Sequence, residues 1–322
     1  KGKCFWMRVY EIPEGSKTAK GRALQNLINI ENDDKVKAFI CTQDLKDQDY
    51  INSHNLVMVT KKGQVKKTSL QKYSKPRVNG VAGITIKDGD ELISAQLTNG
   101  ESQIILAVKS GKLVRFEETK TRPMGRTASG VRGITLKDES DEVIGMVTVD
   151  KNDINDTQVL VVTENGYGKR TKLVDEDGED VYRITNRGGK GVKTLNITEK
   201  TGKLISISAV TDADDLMIIN KSGLTIRMAI EDLRVMGRAT QGVKLINLKG
   251  KDSIAAVTKV MKDDVEEVVV DEDGNVIEVA VIERVKPVLE VLEDEGSDED
   301  EDEDEETELE DESDETDETD ED

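Results

Sequence analysis

The basic side chains of this chain keep register with its glycines. Five polar loops end in Gly21, Gly80, Gly130, Gly191 and Gly242. Four residues before four of these stand Lys17, Arg126, Arg187 and Arg238, and three residues before Gly80 stands Arg77. A second slot lies four residues after the glycines of five hairpins. It holds Lys67, Arg115, Arg170 and Arg227 after Gly63, Gly111, Gly166 and Gly223; after Gly2 it is broken by Trp6, with Arg8 nearby. Lys20, Arg22, Lys75, Arg132, Lys193 and Lys244 flank the same loops. Cations repeated at one structural position suit the neutralisation of a row of phosphates, with counterion release and an affinity that falls steeply with salt. The loop at 185–191, TNRGGKG, is the most distinctive. Its Gly188 and Gly189 would let the backbone approach a phosphate and present N–H groups to it, and Arg187 and Lys190 would supply charge. Solvated bases balanced by local acids are the competing reading, but scattered solubilising charges have no reason to keep count with glycines.

The elements that must position these bases recur with them. The unit at 103–149, QIILAVKSGKLVRFEETKTRPMGRTASGVRGITLKDESDEVIGMVTV, has an apolar run at 104–108, a reversal at 109–112 and a return strand ending in Arg115 and Phe116. A polar loop closes in Gly130 and Val131, and strands are expected at 134–136 and 143–149. Related units are read at 1–42, 55–97, 158–210 and 216–257, the first with strands at 4–9, 24–30 and 36–40. Four short strands per repeat, five times over, point to an all-β radial array in which each sheet buries its faces on its neighbours. The same slot of every repeat then lies on one rim, and the bases form a curved positive belt suited to bent double-stranded DNA. Residues 1–258 are assigned to five such repeats, the first truncated. Residues 259–292 are assigned to a closing hairpin around the turn at 271–275, and 293–322 to a disordered acidic tail.

The formal net charge of −21 conceals this belt. Residues 293–322 hold 23 acids and no base, whereas residues 1–258 hold 42 bases against 34 acids, a net of +8. The two cysteines, Cys4 and Cys41, show no pairing or zinc pattern, which points to the cytoplasm. No apolar run reaches the roughly 20 residues of a membrane span, and the first residues lack the apolar core of a signal peptide. Gly2 sits in the hairpin slot with no strand before it, so the chain is expected to be a piece of a longer protein.

Catalytic readings find little support. A Ser-His-Asp triad would rest on the one histidine, His54, which stands beside a turn. The DEDG segments at 175–178 and 271–274 place glycine at position four, where a calcium-binding EF-hand loop needs it at six. Lys190 is followed by Gly191, so the glycine-rich loop is not a Walker A motif. No metal or nucleotide cofactor is expected.

The RGGKG loop resembles the core of the gyrase A box, QRRGGKG. The stretches GKCFWMRVYEIPEGSKTAKGRALQNLINI, VTENGYGKRT and VMGRATQGVKLI are similar to successive blades of the C-terminal domain of bacterial DNA gyrase A. The resemblance covers residues 1 to about 260. It implies a β-pinwheel, a propeller-like disc whose four-stranded blades exchange strands and whose basic rim wraps DNA during ATP-dependent negative supercoiling. It also implies that DNA cleavage, ATP and magnesium belong to the rest of the enzyme, a topoisomerase, and that gyrase B and a second copy of gyrase A join through an upstream region. This chain has Thr185 and Asn186 where the box has Gln and Arg. Repeat one is similar to the family's second blade, so the family's box is expected upstream of Lys1. The corresponding domain of topoisomerase IV, and an acidic-tailed protein-binding propeller, are the competing assignments.

Overall fold

Four of the five repeats fold around a short antiparallel hairpin, and three of those hairpins are completed by a strand supplied by the following repeat. The computed structural model describes residues 1–16, 20–31, 33–248, 250 and 252–262, with the backbone of 267–270 and 276–280. In chain order the strands and one helix are β1 (Lys3–Cys4), α1 (Gln48–Ser53), β2 (Asn55–Thr60), β3 (Gln64–Ser69), β4 (Val81–Ala82) and β5 (Leu92–Thr98). Repeat three supplies β6 (Gln103–Val108), β7 (Lys112–Glu117), β8 (Val131–Arg132) and β9 (Val143–Val149). Repeat four supplies β10 (Gln158–Thr163), β11 (Tyr167–Lys172), β12 (Val192–Lys193) and β13 (Leu204–Val210). Repeat five has β14 (Asp214–Asn220), β15 (Thr225–Ala229), β16 (Val243–Lys244) and β17 (Ile254–Met261), and a separate hairpin follows as β18 (Glu267–Val270) and β19 (Val276–Ala280).

Among the described residues three sheets have four strands, in the orders β5-β2-β3-β8, β9-β6-β7-β12 and β13-β10-β11-β16. In each, the last strand belongs to the next repeat. The strand expected at 134–136 is therefore replaced by β8 at 131–132, which pairs with β3 of the preceding repeat. The chain crosses there because the hairpin glycine's carbonyl receives it: Gly63 O accepts from Gly133 N at 2.8 Å, and Gly111 O accepts from Thr194 N at 2.8 Å. The β14-β15-β17 sheet has three strands, and β15 has no outer partner among the described residues.

Apolar runs inside these sheets are buried on both faces, which explains their continuous rather than alternating pattern. All six residues of β6 are buried. Ile104, Leu106 and Val108 face Val57, Val59 and Val65 of repeat two, while Ile105 and Ala107 face Val159, Val161 and Tyr182 of repeat four. Leu160, Val162 and Val210 meet Leu216, Ile218 and Met228 of repeat five in the same manner. In each of the four hairpins the pairing of the first strand with the last strand of its own repeat (β5, β9, β13 or β17) slips by one residue at its end, as between Val59 and Thr60 or Ala107 and Val108, a repeated β-bulge.

Repeat one departs from expectation. Of its three expected strands only β1 forms, paired with β4; residues 9–11 and 24–26 make 3-10 turns and 36–40 make no strand. Its Trp6, Ala38 and Ile40 pack instead on Leu56, Met58 and Tyr73. Helix α1, capped by Asp47 Oδ1 accepting from Asp49 N and Tyr50 N, was not expected; it buries Ile51 against the same face. The boundary expected at 258 falls inside β17. The hairpin expected beyond it forms as β18 and β19, which pair with each other and with no other strand among the described residues. The acidic tail at 293–322 and Lys17 lie outside the described residues.

Candidate nucleic-acid interface

The loop between the hairpin and the exchanged strand is held at the same three points in successive repeats. The carbonyls of Lys67, Arg115 and Arg170 accept from Met124 N, Thr185 N and Met236 N at 2.7, 2.9 and 2.9 Å. Thr85 N, Thr135 N and Asn196 N in turn donate to Ala128 O, Gly189 O and Thr240 O. At its end the loop glycine crosses the neighbouring backbone: a Cβ on Gly130 would lie 2.7 Å from Val65 O, and one on Gly191 2.6 Å from Leu113 O. These residues also have positive φ, so a side chain is excluded twice over. Each loop of one repeat thus rests on the blade of the repeat before it.

The two basic slots part company in this geometry. Arg77, Arg132, Lys75, Lys190, Lys193, Lys20 and Arg22 are exposed, and Arg126, Arg187, Arg238 and Lys244 are partly exposed. Arg187 Nε donates to Lys120 O at 3.1 Å, which fixes the direction of its side chain. The second slot, expected on the rim, is turned inward. Lys67 and Arg115 are 5% and 1% exposed. Arg115 Nε donates to Gln103 Oε1 at 2.7 Å, and its Nη1 reaches Asp180 Oδ1 at 2.8 Å and the carbonyls of Tyr182 and Leu173. Arg170 is buried and donates to Leu233 O, Glu231 O and Asp212. Arg227 Nε donates to the fully buried Asp215 at 2.7 Å. Lys67 Nζ donates to Glu118 O at 3.1 Å and lies 3.7 Å from its carboxylate, which also accepts from Thr98 Oγ1 and Gly100 N. Burial pulls both the Lys67 ammonium and the Arg115 guanidinium below their usual ranges. The physical reason for the inward turn is that the slot lies in strands covered on both faces: Lys66 beside Lys67 in β3, Val114 and Phe116 beside Arg115 in β7, and Lys169 beside Arg170 in β11 are all buried, so no side of these strands is left to solvent.

The RGGKG loop also uses its glycines differently from expectation. Gly188 N donates to Gly133 O at 2.8 Å, and the carbonyls of Gly188 and Gly189 accept from the Thr135 hydroxyl and N–H. The Gly188 N–H and these two carbonyls are committed to the neighbouring loop, while Arg187 and Lys190 carry its charge to the surface.

Sequence reasoning missed two sets of residues. Arg122, Arg183 and Arg234 stand eight residues before their loop glycines, with Lys72 in repeat two, and all four are exposed. Counting further back from the glycines would have found them. Lys66 and Lys169 are wholly buried under the rim. Lys66 Nζ donates to Gly83 O and Arg126 O; Lys169 Nζ donates to Gly237 O and Arg238 O. Burial, with Arg126 adding to it, pushes the Lys66 ammonium down to about 8. No periodic signal marks these two, since Val114 and Ile226 hold the same position in the other blades. Among the described residues no cluster of three or more His, Cys, Asp or Glu could hold a metal, and no helix is long and apolar enough to cross a membrane.

A family model described as the DNA gyrase C-terminal domain, beta-propeller, matches residues 1–43, 54–99, 103–150, 157–211 and 214–261. Curated relatives include the DNA gyrase A protein of Staphylococcus aureus strain MRSA252, 42% identical over 278 residues, covering 86% of this chain and 30% of the relative. The same protein from strain NCTC 8325 / PS 47 is 42% identical over 274 residues, covering 85% and 29%. The chain thus spans under a third of the length of these relatives. Among solved structures, the C-terminal domain of DNA topoisomerase IV superposes with a TM-score of 0.70 at 24% identity, over 81% of this chain and 77% of that one. The DNA gyrase A C-terminal domain superposes with a TM-score of 0.64 at 23% identity, over 81% and 80%. Both likenesses speak to the fold. With five matched segments that follow its repeats, the chain belongs to the DNA gyrase C-terminal domain, beta-propeller, family.

Proposed function

We propose that this chain binds double-stranded DNA without reading its sequence and bends it around the loop-borne bases, as the wrapping domain of a gyrase A protein. The observation that carries this reading is the register of exposed cations on loops that are stitched to one another from repeat to repeat. A polyanion laid across consecutive loops meets a cation at each. The inward turn of Lys67, Arg115 and Arg170 sharpens the proposal, because the belt then consists of the loop slot, its flanking bases and the additional Arg122, Arg183 and Arg234. Wrapping bends DNA at a cost of several kcal/mol for a site of about 20–30 base pairs, offset by contacts spread along the arc. The chain contributes no catalytic group of its own in this reading. DNA cleavage, ATP and magnesium belong to the rest of the enzyme, gyrase B and a second copy of gyrase A assemble through other regions, and Cys4 and Cys41 suit a reducing cytoplasm. Relatives named as DNA gyrase at 42% identity favour this over the topoisomerase IV counterpart.

Titrating binding of a 40-base-pair duplex against salt tests the reading. About six phosphate contacts give a slope of log K against log salt near −5, and a flat dependence excludes it. A comparison of loops follows from the same geometry. Arg187→Ala with Lys190→Ala weakens binding about as much as Arg126→Ala with Arg132→Ala, each pair lowering the slope by about two. Near-complete loss of bending for the first pair alone, seen by energy transfer between dyes on the DNA ends, makes 185–191 an anchor rather than one share of a belt.

A further inference from the structure

The rim loops carry more than charge. In repeats three, four and five a solvent-facing apolar residue follows the first loop arginine and precedes the second by three positions: Pro123 between Arg122 and Arg126, Ile184 between Arg183 and Arg187, Val235 between Arg234 and Arg238. Ile184 and Val235 are 38% and 37% exposed. In the shorter loop of repeat two, Val78 follows Arg77 and is 88% exposed. A single exposed aliphatic residue needs no explanation, but the same position in three consecutive blades, bracketed each time by cations, does. The position is also rigid. Pro123, Ile184 and Val235 form parallel bridges to Lys67, Arg115 and Arg170, whose side chains are buried. The N–H of the next residue is tied to the carbonyl of that same anchor. The fold fixes an apolar side chain at the surface where packing could have buried it.

A surface with cations on both sides of an apolar contact is complementary to the minor groove of DNA. Two rows of phosphate flank a strip of sugar and base edge, and apolar side chains pressed there open base steps and bend the duplex. We infer that Pro123, Ile184 and Val235, with Val78 in repeat two, are minor-groove contacts that set where the DNA bends, favouring flexible pyrimidine–purine steps where the groove faces the rim. This inference rests on the DNA-wrapping reading, and it assigns these residues a positioning role on the duplex while the arginines supply affinity.

The test compares the wild-type chain with a variant carrying Pro123→Ser, Ile184→Ser and Val235→Ser. No cation is lost, so the salt slope stays that of the wild type. Affinity for duplexes with TA steps phased to face the rim falls by about tenfold, and the preference for them over uniform A-tract duplexes disappears, with a smaller bend measured by energy transfer. Netropsin, which fills the minor groove, weakens wild-type binding to AT-rich duplex by a similar factor and leaves the variant unaffected. Wild-type step preference and bend in the folded variant, together with indifference of the wild type to netropsin, overturn the inference while a steep salt slope keeps the DNA reading intact. If the triple variant fails to fold by circular dichroism, the netropsin experiment on the wild type and the single Val235→Ser variant decide.

Discussion

Replacing Arg115 with alanine is expected to cost about 3–5 kcal/mol of folding stability, whereas Arg132→Ala changes stability by less than about 0.5 kcal/mol. The two arginines belong to the same repeat and are equally basic in sequence. Arg115 is buried with four acceptors around it, and three of them, Leu173 O, Tyr182 O and Asp180, belong to the next repeat. Truncation removes their donor, leaves Gln103 Oε1 without its partner and opens a cavity between two blades. Arg115→Lys is expected to recover only part of the loss, because one ammonium cannot reach the set of acceptors that a planar guanidinium spans. Urea unfolding of the three variants measures this. An Arg115→Ala protein as stable as the wild type that loses DNA affinity like Arg132→Ala would return the second slot to the rim.

Gly191→Ala is expected to destabilise the protein by about 2–5 kcal/mol, the sum of about 1–2 kcal/mol for a non-glycine residue in the left-handed region and about 1–3 kcal/mol for overpacking. Gly191 has φ of +76°, and an added Cβ would sit 2.6 Å from Leu113 O and 2.9 Å from its carbonyl carbon, both backbone atoms that cannot swing aside. The strain falls where β12 crosses onto β7, so exchange is the contact most directly opposed. Gly125→Ala is the control: nothing lies within 4 Å of its Cβ and its φ is not positive, so it should be neutral or slightly stabilising. Thermal unfolding with limited proteolysis separates the outcomes. Equal melting temperatures for the two variants would mean that the glycine slot is not what admits the exchanged strand.

The repeat itself was legible in the sequence, because both glycines of every unit have positive φ, and in repeats two, three and four both also lie against neighbouring backbone. The bases that keep count with the loop glycine were legible for the same reason. What the sequence hid is direction. Lys67 and Arg126 are both cations at fixed distances from a glycine, but one lies in a strand whose outer face the next repeat covers and the other on the loop doing the covering. Periodicity reports position within a repeat and is silent on which repeat supplies the neighbour. The strand expected at 134–136 failed on the same ground: Val131 and Arg132 pair with Val65 and Gln64 of the preceding repeat, and no local pattern specifies that partner. Repeat one was over-read because its likeness to the other units carried their strands onto it, whereas its Trp6, Ala38 and Ile40 contribute side chains to the core of repeat two without strand pairing.

Strand exchange also imposes an order on how the molecule is made. A ribosome delivers β7 well before β12, and at about 5–20 residues per second the intervening stretch takes on the order of 10 s to appear. Throughout that interval the outer edge of each newly made sheet presents unpaired N–H and C=O groups, a template on which a second nascent chain could pair. The exposed edge is then clasped by the repeat that follows, which in its turn presents a new one. The hazard therefore travels along the growing chain as a single open edge, and the rate at which the next loop arrives governs how long that edge stays open to misassembly.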